Sequence, residues 1–303
     1  MKLGTSIALF ACLFASLALT PRPAAAADPV VAAAGDIACA PGDSKDPCQD
    51  AETANLLAGV SAVLPLGDNQ YEAGSLFEYQ NAYDHTWGAY KPLTHPVAGN
   101  HEWVTASAQG YKDYFGAIAN PDGDQNTYYS WDLGNWHFVA LDSDCGNLPP
   151  APGTTNGCGS GSPEEVWLKN DLASNQAQCE IAYWHHPKFT SFPGVNSKVK
   201  TFWKDLQNDK AELILNGHSH AYERFAAQLP DGTASPSGIV EIIAGTGGHS
   251  HMVQKTVKPN SVVRNNTDFG VLKLTLHAAS YDFQFVDTTG AVLDESPSSV
   301  ACH

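Results

Sequence analysis

Five short apolar runs in this chain stop in the same way. Val30 to Ala34 runs into Gly35-Asp36, and Ala62-Val63-Leu64-Pro65-Leu66 runs into Gly67-Asp68-Asn69-Gln70-Tyr71. Pro96-Val97-Ala98 ends at Gly99-Asn100-His101-Glu102, Glu180 to Trp184 ends at His185-His186-Pro187, and Leu213-Ile214-Leu215 ends at Asn216-Gly217-His218-Ser219-His220. Each run has the length and composition of a buried strand. Each delivers a metal-competent side chain just past its end, and in open sheets sites form beyond the carboxyl ends of the strands. The pattern therefore predicts one pooled site. A glycine precedes the ligand in four of the five, which lets the backbone turn sharply or approach an ion closely. His218 and His220, two residues apart in an extended segment, are expected to point the same way.

Between these runs the pattern turns helical. Ala51 to Leu57 and Lys198 to Leu206 read as helices, Ser75 and Glu78 have capping-box spacing ahead of an aromatic helical stretch from Leu76 to Tyr90, and Ser162-Pro163 with Glu165 opens another helix. Tyr128 to Leu133 and Trp136 to Leu141 flank Gly134-Asn135, a hairpin signal, and loop composition holds from Asp142 to Ser162. Past Gly238 the chain reads as strands: Ile239 to Ala244, Gly270 to Leu276, Tyr281 to Val286 and Ala291 to Leu293. Mixed βα units with a β-rich end predict an α/β (α+β mixed) fold of two packed mixed β-sheets flanked by helices, in a single domain over 28–303.

Composition adds a compartment. Residues 1–27 carry Lys2, an apolar Ile7 to Leu19 segment too short to favour a membrane span, and a small-residue end, Pro23-Ala24-Ala25-Ala26-Ala27, which reads as a signal peptide. The protein is therefore expected to be secreted or periplasmic, with no membrane anchor. Beyond that segment stand Cys39, Cys48, Cys145, Cys158, Cys179 and Cys302, an even set that suits disulfides. The expected pairs are Cys39–Cys48, Cys145–Cys158 and Cys179–Cys302, because the first two close short Gly/Pro-rich loops. With 32 Asp and Glu against 16 Lys and Arg, the chain opposes binding to nucleic acid or anionic membranes.

The carboxylate, amide, imidazole and phenol donors at the strand ends suit hard or borderline ions, and they are too many and too oxygen-rich for a closed structural zinc site. Two ions about 3.5–4 Å apart serve phosphate-ester hydrolysis best. In order, Gly35-Asp36, Gly67-Asp68-Asn69-Gln70-Tyr71, Gly99-Asn100-His101-Glu102, His185-His186-Pro187 and Gly217-His218-Ser219-His220 resemble the calcineurin-like metallophosphoesterases, and within them the purple acid phosphatases. The resemblance implies the metallophosphoesterase β-sandwich and two metal ions. It implies Fe(III) at Asp36, Tyr71 and His220, and Zn, Mn or Fe(II) at Asn100, His185 and His218, with Asp68 bridging. His101 and Asp68 are the implied catalytic residues, with His101 contacting the phosphoryl oxygen or protonating the leaving group. The implied activity is hydrolysis of small phosphomonoesters by a metal-activated hydroxide. A phosphodiesterase, a nucleotidase or a non-catalytic exported metal-binding module remain alternatives.

Tyr71 carries the subfamily assignment, since Ala38 stands where many metallophosphoesterases have a histidine and where purple acid phosphatases usually have glycine. Plant members carry a further histidine where this chain has Val195 and Asn196, which puts the acid role on His101. With few residues ahead of Asp36, the chain is expected to be a catalytic domain alone, without the extra β-sandwich of the large plant enzymes. Of the other histidines, His186 is expected to face away from the ligands, His249 and His251 to be surface residues on a loop that could rim the cleft, and His85, His95, His137, His277 and His303 carry no motif. Glu223 and Arg224 are expected to orient ligands or pair with each other, and Asn265-Asn266-Thr267 is a glycosylation sequon.

Overall fold

In β1 (Val30–Ala34) alternate residues belong to different cores: Val31 and Ala33 face one apolar cluster, Ala32 and Ala34 another. This is the two-residue period of a strand covered on both faces. The structure is a computed structural model that describes residue 1 and residues 27–43, 48–121 and 123–303. The expected signal segment lies almost wholly outside the described residues.

The chain continues through α1 (Asp50–Asn55), β2 (Ala62–Pro65), α2 (Leu76–Asn81), α3 (Gln109–Phe115) and the hairpin β3 (Tyr129–Leu133) and β4 (Trp136–Ala140). Then come α4 (Pro163–Ser174), β5 (Cys179–Tyr183), α5 (Lys200–Asp209), β6 (Leu213–Asn216), β7 (Tyr222–Phe225), β8 (Val240–Ala244) and β9 (Ser261–Asn265). The last strands are β10 (Gly270–Leu276), β11 (Ser280–Asp287), β12 (Val292–Glu295) and β13 (Val300–Ala301). One mixed sheet has the order β12-β11-β10-β1-β2, with β13 on β11, and the other has the order β3-β4-β5-β6-β8-β7-β9.

The two sheets stack on a shared core that includes Val31, Leu64, Phe138, Ile181, Leu215, Leu274 and Phe285. Tyr79, Tyr111 and Phe115 of α2 and α3 cover the outer face of the first sheet, and Leu168, Leu172, Phe202 and Trp203 of α4 and α5 cover the second. The expected helix–sheet–sheet–helix layering is what the structure has. All three expected disulfides form, and Cys179–Cys302 links the start of β5 in one sheet to the end of β13 in the other.

Two local expectations are corrected. Pro96-Val97-Ala98 is not a strand; it lies beside β2 through single bridges, Val63 with Thr94 and Leu66 with Val97. The Leu76 to Tyr90 helix ends after Asn81, because the Tyr83 N–H donates to Gln70 Oε1 at 3.0 Å and short 3₁₀ turns follow. The capping box at Ser75 and Glu78 does form. β7 and β9 are strands the apolar pattern did not reveal, since charged residues interrupt both.

Candidate metal centre

β1 and β2 run parallel in one sheet, and β4, β5, β6 and β8 run parallel in the other. The ends of β1, β2, β5 and β6 meet at one edge of the sandwich. Asp36, Asp68, Tyr71 and His185 are almost wholly buried there. Tyr71 Oη lies 2.9 Å from Asp36 Oδ1, 3.2 Å from Asp68 Oδ2 and 3.0 Å from His220 Nε2. His220 Nε2 is 3.1 Å from Asp36 Oδ1, so these three side chains form one group. On the other side, His185 Nε2 is 3.1 Å from Asp68 Oδ2 and 3.2 Å from His218 Nδ1. Asp68 therefore stands between an Asp36–Tyr71–His220 group and a His185–His218 group.

Backbone geometry explains how the ligand atoms converge. Asp36, Asp68, His218 and His220 all adopt positive φ, at 61°, 46°, 67° and 37°. Such conformations are uncommon outside glycine and gather where a site holds them in place. The expectation that His218 and His220 point one way from an extended segment fails for this reason. Turned by left-handed residues, His218 reaches His185 while His220 reaches Asp36 and Tyr71. The glycines before Asn100 and Asp68 serve close approach: a Cβ on Gly99 would lie 2.3 Å from Asp68 N and Oδ1, and one on Gly67 would lie 2.7 Å from the His185 ring.

The donor chemistry fits metal ions. His185 Nδ1 lies 2.9 Å from the Leu66 carbonyl, to which it donates, so the Nε2 lone pair faces the cluster. Asn100 Oδ1 is buried without a hydrogen-bond partner among the described residues, as a ligand oxygen awaiting a cation is. Burial pushes the Asp36 and Asp68 carboxyls up, but His220 and His185 outweigh it and hold both below the usual range. Burial opposes the charge on His185 too, yet Asp68 and Asp36 push it up to about 10. Burial and the His185 charge bring His218 down to about 4. The buried carboxylates thus require positive charge at the imidazole nitrogens, which protons or metal ions can supply.

Glu102 supports this arrangement from below. Its carboxylate accepts the N–H groups of Asp68, Asn69, Gln70 and Gly99 and the Tyr79 hydroxyl, all within 3.2 Å. Burial and the Asp68 charge push its pKa up to about 8 against those donors. His101 N–H donates to Asp68 Oδ1 at 2.8 Å, while its ring donates from Nδ1 to the Glu72 carbonyl and turns Nε2 to within 3.9 Å of Asp68 Oδ2.

Four sequence expectations change here. His249 is not a surface residue: its ring stacks on Tyr71 at 3.7 Å, opposite His101 at 4.2 Å, and Ser250 Oγ bridges its Nδ1 to His220 Nδ1 at 2.9 and 2.8 Å. No local signal marked it, because the contact exists only once the loop after β8 folds back over Tyr71. His251, half-buried, stacks on Phe269. His186 does not face away; its ring lies 4.3 Å from that of His218. Glu223 and Arg224 do not pair. Glu223 holds Thr190, Ser191 and Ser261, and Arg224 pairs with Asp294 at 2.6 Å, because neighbouring strand residues face opposite ways.

Residues 29–222 match the calcineurin-like phosphoesterase family. The chain belongs to that family. Residues 238–295 match the iron/zinc purple acid phosphatase-like protein C family, and they are woven into both sheets through β8 to β12. Purple acid phosphatase 23 of Arabidopsis thaliana is 29% identical over 196 residues, 58% of this chain and 39% of that protein. Purple acid phosphatase 15 of the same plant is 28% identical over 189 residues, 56% of this chain and 33% of that protein. The chain therefore spans well under half of these curated relatives.

Among solved structures, the yellow lupin purple acid phosphatase PPD1 superposes with a TM-score of 0.70 at 18% identity, over 91% of this chain and 54% of that one. A dimetal phosphatase from Danio rerio superposes at 0.60 and 14% identity, over 92% and 100% of the two chains. GAP50, the anchor in the inner membrane complex of Plasmodium, does so at 0.63 and 14%, over 92% and 90%. At these identities the likeness is one of fold. Among the described residues no helix is long and apolar enough to cross a membrane.

Proposed function

We propose that this phosphoesterase is a secreted or periplasmic dinuclear-metal phosphatase, with residues 28–303 forming one catalytic domain that hydrolyses phosphomonoesters. The observation that carries the reading is Asp68 standing between two buried donor groups. Asp36, Tyr71 and His220 would hold one ion, Fe(III) in this reading. Asn100, His185 and His218 would hold a second, Zn, Mn or Fe(II), with Asp68 shared. The three disulfides support an oxidising compartment. Bound at these donors, two ions supply an activated water and a clamp for the charge that develops on the phosphoryl group.

The chain's own residues set the rest. The Leu66 carbonyl fixes the tautomer of His185, and Glu102 holds the backbone from Asp68 to Gln70 in register with it. Tyr71 is held between two imidazoles, which restrains the phenol oxygen against the Asp36 and Asp68 carboxylates. His101, anchored at Nδ1 on Glu72, presents Nε2 to the cleft, to contact a phosphoryl oxygen or to give a proton to the leaving group.

Visible absorption and metal analysis on one purified sample test the reading. The expected result is a broad visible band, lost in Tyr71→Phe, with two metal ions per chain. A colourless protein with two divalent ions removes the ferric assignment, and full metal occupancy without hydrolysis of any phosphate ester removes the catalytic one. Rates on a phosphomonoester against a phosphodiester decide between these two substrate classes.

A further inference from the structure

A cavity of about 300 Å³ adjoins the donor cluster and shares His218 with it. Of its lining only His218 is among the seven candidate ligands, while a ring nitrogen of His186 lies within 4.8 Å of those of His185 and His218. Ser143, Asp144, His186, Asn196 and Lys198 line it, from the loops after β4 and β5. The wall is built firmly. The Cys145–Cys158 disulfide closes one loop, Asn196 Nδ2 donates to the Ser143 carbonyl at 3.0 Å, and buried Glu241 accepts the N–H groups of Lys188 and Phe189 beneath the other loop.

Ser143 also fixes which nitrogen of His186 carries the proton. The His186 backbone N–H donates to Ser143 Oγ at 2.8 Å, and the same Oγ lies 2.9 Å from His186 Nδ1. A hydroxyl has one proton to give. Among the described residues His186 Nδ1 is the one acceptor within reach of the Ser143 hydroxyl, so Ser143 donates to Nδ1 and Nε2 of the neutral ring is an N–H donor. No hydrogen-bond partner takes that Nε2 among the described residues.

The cavity therefore presents an imidazole N–H and an ammonium as donors and the Asp144 carboxylate as acceptor. Hydroxyl groups, which donate and accept at once, complement this mixture. An aryl or alkyl group would leave these polar atoms desolvated and unpaired. A second anionic group would meet Asp144. The volume sits at the small end for ligand sites.

We propose that this cavity is the leaving-group subsite and that it selects phosphate monoesters of small polyhydroxylated alcohols, such as sugars and polyols. The proposal rests on the phosphatase reading, because that reading puts the phosphoryl group beside His218. His186 and Asp144 act here as binding residues for the alcohol, and no change of protonation is involved.

The metal-loaded protein is assayed on glucose 6-phosphate and phenyl phosphate, with metal content measured on the same samples. His186→Phe and Asp144→Ala each lower the ratio of kcat/KM on glucose 6-phosphate to that on phenyl phosphate about tenfold, mainly through KM, which corresponds to one lost hydrogen bond. His186→Gln, which keeps an N–H at similar reach, restores the ratio, and metal content stays at the wild-type level throughout. A ratio unchanged in either loss variant overturns the subsite, whereas the wild-type ratio by itself also reflects phenol being the better leaving group. A wild type that hydrolyses neither ester overturns the phosphatase reading instead. Calorimetry on the metal-loaded protein then decides the subsite alone, which fails if glucose 6-phosphate binds no tighter than inorganic phosphate.

Discussion

Gly99 has no side chain, and the metal-competent cluster depends on that. A methyl group there would stand 2.3 Å from Asp68 N and Oδ1, with backbone on one side and a shared ligand on the other. Gly99→Ala is expected to cost about 1–3 kcal/mol of stability and to weaken metal binding, read by denaturant unfolding and metal titration. An unchanged metal affinity would separate Asp68 from the packing around Gly99. His101→Ala should behave differently, lowering kcat about 100-fold or more while metal content holds. Unchanged turnover would remove His101 from proton transfer. Most of these residues were legible in the sequence, because each follows closely on the end of an apolar run. His249 was not, since its place against Tyr71 depends on a fold-back with no local trace, and neither was the left-handed backbone at four of the ligands.

Whole elements were legible where burial on both faces leaves a continuous apolar run. β1, β5 and β6 are such runs. β7 escaped because Glu223 and Arg224 interrupt it, and their charges are met by partners distant in sequence. The hairpin of β3 and β4 shows the same dependence on tertiary partners. His137 sits opposite Asp132 in the register, 2.7 Å from it, and reaches Asp171 of α4 at 2.9 Å. Burial works against its charge, but the hydrogen bonds to the two carboxylates raise its pKa above the usual value. The stabilisation is therefore fully present below a pH of about 6.5 and disappears as pH rises through the elevated folded-state value. His137→Gln should lose about 1 kcal/mol at pH 5.5 and much less at pH 9, measured by unfolding at both. An equal loss at both pH values would mean that the ring acts through packing alone.

For the molecule as a whole, Cys179–Cys302 is the covalent tie between the two sheets, across a separation of 123 residues. In the chain-entropy account a loop of that length is worth about 5 kcal/mol. Replacing both cysteines with alanine should lower the denaturant midpoint clearly and leave the visible spectrum and metal content of the folded protein unchanged, since the tie lies at the opposite ends of the strands from the cluster. A spectral change would connect the sheet-to-sheet spacing to the ligands.

β1 also has a bearing on how the protein is made. Its parallel neighbour β2 follows soon in the chain, but its antiparallel neighbour is β10, and Val30 meets Thr275. At about 5–20 residues per second, a ribosome needs tens of seconds between the two strands. Throughout that interval the strand that leads into Asp36 has one open edge. Full pairing around the turn that holds Asp36 therefore comes only with β10, well after His220, the last candidate ligand, has been made.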